Sequence, residues 1–180
     1  MARKQRSVKK LRDSIPCFVV EGCTEKNYLD VLKSIYSIRI DIKNTEGGNA
    51  NGVMKKALSI FENNPEYTKF IVWFDNDKFF KKDNNILQKL KSKNVIIVQS
   101  YPCIESWLLA HFKQIFDTQL SKNCIDFEKE LKDKYIKDYH KNNCNQLKQY
   151  IKIEVIDEAK NNYPKYIDNI EFIFEVFNAN

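Results

Sequence analysis

The sequence predicts an α/β fold with a mostly parallel sheet, flanking helices and a helical C-terminal extension. Three observations carry this. Four short apolar runs rich in β-formers recur along the first hundred residues, segments with helical apolar spacing separate them, and the pattern becomes purely helical after about residue 121. Strands alternating with helices imply right-handed crossovers, hence parallel strands.

The first run, residues 16–21, contains Cys17-Phe18-Val19-Val20 and stops at Gly22. Thr24 is the predicted N-cap of a helix through Tyr28, Leu29, Leu32 and Ile35, which recur at helical spacing. Ile38, Ile40 and Ile42 alternate with polar residues, as in a strand covered on one face. A turn-rich stretch from Gly47 to Gly52 leads into a helix over 53–61. Residues 69–74 form a continuous apolar run, expected where both sheet faces are covered. A helical segment over 86–90 precedes a fourth strand over 94–100. Pro102 then opens a helix over 103–112, with proline in the first turn. Trp107, Leu108, Leu109 and Phe112 are its core face. Phe127, Leu131 and Tyr135, then Leu147 and Ile151, then Ile170, Ile173, Phe174 and Phe177 form amphipathic helices of the extension. The organisation is a basic arm over 1–14, an α/β domain over 15–120 and the helical extension over 121–180.

With 43% hydrophobic and 30% charged residues, the composition is that of a globular domain. The longest apolar runs, 71–74 and 95–98, are too short to span a bilayer. No apolar stretch follows the basic start, so a soluble, cytoplasmic protein without membrane association is expected. Five cysteines (Cys17, Cys23, Cys103, Cys124, Cys144), odd in number and without a Cys-x-x-Cys pair, argue against a disulfide framework and a structural zinc site. His111 and His140 are too isolated to build a metal site.

The net charge of +6 is localised. Arg3, Lys4, Arg6, Lys9, Lys10 and Arg12 precede the first acid, Asp13, and the other 24 of the 30 basic residues match the 24 acids. Such an arm either neutralises nucleic-acid phosphates or is a solvated tail.

Acidic residues fall at equivalent places. Glu21 ends the first strand, Asp75 and Asp77 follow the third, and Glu105 begins the helix after the fourth. In an open parallel sheet the carboxyl ends of all strands share one edge, where ligands bind. Asp75 and Asp77, two apart, point the same way in extended chain. Close carboxylates repel unless a proton or cation intervenes. Oxygen donors without histidine or thiolate suit Mg²⁺ or Mn²⁺. Glu25, one helical turn further on, is a supporting or second-metal ligand. Lys78 either contacts a phosphate or softens the local negative charge. Gly47 and Gly48 form a plain turn or admit a close approach of backbone to phosphate.

Val20-Glu21-Gly22 with Thr24-Glu25 and Tyr28, then Trp73-Phe74-Asp75 with Asp77, then the run from Pro102 through Glu105-Ser106-Trp107 to Phe112, together resemble the RloB-like family over roughly residues 1–115. The resemblance implies a bacterial protein similar to the Toprim domains of topoisomerases, primases and OLD-type nucleases, and thus a Toprim-like, Rossmann-type sheet. It implies that Glu21 matches the Toprim glutamate, that Asp75 and Asp77 match the Asp-x-Asp metal ligands, and that Glu25 and Glu105 match acidic positions of the RloB pattern. It also implies a place in restriction or abortive-infection loci, in phage defence, beside an ATPase partner.

The expected function is metal-dependent nuclease action on DNA or RNA, with Glu21, Asp75, Asp77 and Glu105 catalytic and the arm and Lys78 on nucleic acid. A non-catalytic adaptor subunit and a nucleotidyl-transfer enzyme are the alternatives, and a homo-oligomer stays open. No nucleotide-triphosphate loop of Walker type is present.

Overall fold

The computed structural model describes residues 15–64, 67, 69–76, 85–116, 118, 123–143, 145–163 and 170–177. The basic arm, Asp77, Lys78 and Cys144 lie outside them. Four strands, β1 (Cys17–Val20), β2 (Asp41–Asn44), β3 (Phe70–Asp75) and β4 (Ile96–Ser100), form one all-parallel sheet in the order β2-β1-β3-β4. Helices α1 (Cys23–Ile35), α2 (Ala50–Asn63) and α3 (Asn85–Ser92) provide the crossovers. Helices α4 (Ile104–Ala110), α5 (Cys124–Lys134), α6 (Ile153–Asn162) and α7 (Glu171–Phe177) follow, with a 3₁₀ turn at Leu147–Gln149.

The strand period of two divides the core. Phe18, Val20, Ile71, Trp73 and Val98 face α1, α4 and the C-terminal helices. Cys17, Val19, Phe70, Val72, Phe74 and Ile97 face α2 and α3. The chain leaves β1 toward β2, then reverses past β1 to β3. Right-handed crossovers therefore place α1 and α2 on opposite faces. The reversal point lies between β1 and β3, at their carboxyl ends.

The helical extension packs on the sheet as the amphipathic spacing requires. Phe127, Leu131, Ile173, Phe174 and Phe177 are all buried in the core that contains Phe18 and Trp73. The Phe18 and Phe177 rings stack at 6.2 Å. Leu131→Ala should cost about 2–5 kcal/mol in denaturant unfolding, because a fully buried side chain leaves a cavity. A loss below about 0.5 kcal/mol would show that α5 does not belong to this core.

Several local expectations need correction. β2 starts at Asp41, so Ile38 and Ile40 precede it; this is the edge strand and all four of its residues are half-buried. The N-cap of α1 is Gly22 in extended conformation, not Thr24, which lies buried inside the first turn. Glu25 supplies the cap, its Oε2 accepting from Gly22 N at 3.1 Å. Asn49 caps α2 three residues early by accepting from Gly52 N at 3.0 Å. Pro102, preceded by a cis peptide bond, stands before the extended N-cap Cys103 rather than inside α4. Cys23, the first residue of α1, is disulfide-bonded, contrary to the reading of the cysteine pattern, while Cys17, Cys103 and Cys124 are not in disulfides. Among the described residues no helix is long and apolar enough to cross a membrane.

Candidate metal centre

The reversal point brings together residues far apart in sequence. Val20 pairs with Trp73, so Glu21, one residue past β1, lies beside the end of β3. Its backbone donates to Trp73 O at 3.2 Å, and its Oε2 accepts from Asp75 N at 3.2 Å. Over it, Thr45 Oγ1 and Gly47 N both donate to Glu21 O, at 2.9 and 2.7 Å. Gly47 and Gly48 have φ of 86° and 128°, conformations open to glycine, so this loop turns sharply across the rim.

Asp75 reaches to the next strand's helix: its Oδ1 accepts from Ile104 N, the first residue of α4, at 2.8 Å. Glu105, one residue further, is fully buried. Its Oε1 accepts from Tyr139 Oη at 2.9 Å, and Lys141 Nζ lies 3.2 Å from its Oε2. That pairing is ionic only, since Oε2 has no aligned hydrogen-bond donor. Lys141 also stands 3.9 Å from Glu128 Oε2.

Electrostatics show these acids as one group. Burial pushes the Glu25 carboxyl up to about 8, with the charges of Glu21 and Glu105 adding to the rise and the Gly22 N–H opposing it. Burial, then Glu25, Glu105 and Glu21, hold Asp75 well above the usual carboxylate range. Burial draws the Lys141 ammonium toward neutrality, but the Glu105 carboxylate outweighs it, and the lysine stays charged. The charges of Glu25, Glu105 and Glu21 thus add to burial in opposing ionisation of Asp75, and Lys141 compensates Glu105.

Glu21, Glu25, Asp75 and Glu105 are brought to one rim; Asp77, Lys78 and the arm fall outside the described residues. Tyr139 and Lys141 were not among the residues singled out from the sequence. They sit in an irregular segment between amphipathic helices, and that interruption was the only available signal. Thr24 and Asn27 of α1 tie this segment down, donating to Lys141 O at 3.2 Å and Asn143 O at 3.1 Å. His111 takes no part. It is buried, its Nε2 is 3.1 Å from Tyr28 Oη, and burial lowers its pKa to about 4, so it is a neutral core residue.

The family model described as RloB-like protein matches residues 17–171. The chain belongs to the RloB-like family. The match runs past α4 and through α5 and α6 to the start of α7, so the RloB-like unit includes the segment that carries Tyr139 and Lys141. No curated protein and no solved structure matches the chain.

The donors fit a hard divalent cation in kind: all are carboxylate oxygens, burial and then neighbouring acids raise the pKa of Glu25 and Asp75, and Glu105 Oε2 is buried without a hydrogen bond. Among the described residues, however, no three of His, Cys, Asp or Glu are drawn together as a metal-holding group. Asp75, Glu25 and Glu105 each direct an oxygen to a protein donor instead.

Proposed function

We propose that this RloB-like protein is a metal-dependent nuclease that hydrolyses phosphodiester bonds of DNA or RNA, through a Toprim-like centre. The observation that carries the reading is the junction at the β1/β3 reversal, where Asp75 N donates to Glu21 Oε2 at 3.2 Å and two further buried acids raise Asp75's proton affinity. Glu21 and Asp75, with Glu25, Glu105 and Asp77, are the residues that would hold Mg²⁺ or Mn²⁺. When bound, such an ion polarises a phosphate and lowers the pKa of a water. Glu25 keeps its proton at neutral pH until a cation takes its place. Tyr139 and Lys141 hold Glu105 in one orientation. The family resemblance adds phage defence and an ATPase partner to the proposal.

A second reading, a non-catalytic adaptor, is favoured by one observation: all four described acids, Glu21, Glu25, Asp75 and Glu105, already serve protein donors. The two separate when labelled RNA, single-stranded DNA and duplex DNA are incubated with the full chain. Mg²⁺, Mn²⁺ or chelator is added, with and without the partner ATPase. The nuclease reading expects shortened products only with metal. Intact substrates under every condition would leave the adaptor.

A further inference from the structure

The segment that delivers Tyr139 and Lys141 to the acids also builds an open cleft of about 790 Å³ in the helical extension. Lys137, Lys148 and Lys152 line it, against one acid, Asp138. All three lysines are exposed. Lys152 uses one of its three protons on Lys148 O at 3.1 Å. Among the described residues none of the three has an ion-pair partner, whereas Lys26, Lys113, Lys134 and Lys160 all do. Tyr150, half-buried, adds an aromatic ring to the lining.

The cleft is pre-built. Buried Gln146 accepts from His140 N at 3.0 Å and donates to Lys137 O and Asp138 O at 3.1 and 2.7 Å, fixing the loop between the lysines. The segment that lines the cleft also reaches the acidic rim: Lys141, between the lining residues Lys137 and Asn143 in sequence, lies 3.2 Å from Glu105 Oε2, and Asn27 of α1 donates to Asn143 O at 3.1 Å.

We propose that this cleft binds the sugar–phosphate backbone of single-stranded nucleic acid and leads it, past Lys141, to the acidic cluster. Resting on the nuclease reading, the proposal gives that centre its substrate side. Unpaired ammonium groups match phosphates, amide side chains supply further donors, and an aromatic ring offers a sequence-tolerant stacking surface. A duplex needs neither the ring nor so short a track.

The test is fluorescence anisotropy of labelled single-stranded RNA and DNA on the full chain in chelator, where no cleavage interferes, across a salt series. The triple variant Lys137→Gln/Lys148→Gln/Lys152→Gln is compared with Lys55→Gln/Lys56→Gln/Lys89→Gln, exposed lysines of α2 and α3 on the opposite sheet face. Three lost phosphate contacts flatten the log–log salt slope by about 2 and weaken binding at 0.1 M salt about a hundredfold. The opposite-face variant should keep the wild-type slope, and both should keep the wild-type melting temperature. The proposal falls if the cleft variant retains wild-type affinity, if both variants weaken equally, or if polyglutamate of equal charge binds as well as the oligonucleotides. Loss of binding with cleavage absent in every protein removes the nuclease reading but leaves the cleft. Intact binding in the cleft variant, with cleavage present, does the reverse.

Discussion

Asp75→Asn is expected to reduce metal-dependent cleavage by more than a hundredfold while leaving the metal-free protein at least as stable as the wild type. Asparagine keeps an oxygen for the Ile104 N–H, which Asp75 Oδ1 accepts at 2.8 Å, so the α4 contact survives. It removes a carboxyl whose ionisation is opposed first by burial and then by the neighbouring acids. Changing groups that merely support a metal ligand already costs 10–100-fold in affinity or activity, and loss of a ligand should exceed that. Asp75→Ala provides the contrast, since it forfeits the hydrogen bond and should unfold at lower denaturant by roughly 0.5–2 kcal/mol of stability. If Asp75→Asn cleaves at wild-type rate, Asp75 holds α4 and nothing more.

The second large effect is on stability against pH. The Glu25 carboxyl stands near 8 in the fold, against 4.5 as its ordinary value. Between those values the native state keeps a proton that the unfolded chain has released, so stability falls as pH rises through the window. Below about 4.5 there is no penalty, and above about 8 it is complete. Asp75 is displaced in the same direction. In chelator the wild type should lose a few kcal/mol between pH 5 and 9, since each tenfold change in proton affinity is about 1.4 kcal/mol. Glu25→Gln retains an acceptor for Gly22 N–H and should remove Glu25's share of that slope, leaving that of Asp75. Urea unfolding at several pH values measures it, and equal slopes for the two proteins would place the strain elsewhere.

Much of this arrangement was legible from residue patterns because both sheet faces are covered. β1, β3 and β4 read as continuous apolar runs, and their carboxyl ends locate Glu21 and Asp75 on one rim from the sequence alone. The edge strand was misplaced because Ile38 and Ile40 alternate as a strand would, although pairing begins only at Asp41. Thr24 has the chemistry of an N-cap, yet Gly22 takes that place because Glu25 reaches back to its N–H while Thr24 faces the 139–141 segment. Tyr139 and Lys141 escaped notice for a related reason. Their relation to Glu105, 34 and 36 positions away, depends on how α5 and the turn beyond it pack, which no local periodicity encodes. The cleft lysines, spread over 137–152, likewise form no run.

The claim that these acids hold a divalent cation is tested most directly by denaturant unfolding of wild type and Asp75→Asn, each in chelator and in Mg²⁺ or Mn²⁺. An ion bound only by the native state, at 100 times its dissociation constant, adds about 2.7 kcal/mol. The wild type should gain that amount and Asp75→Asn much less, reversing their order from chelator to metal. If metal stabilises neither protein, or both equally, the acids of this rim are structural and the metal centre does not exist.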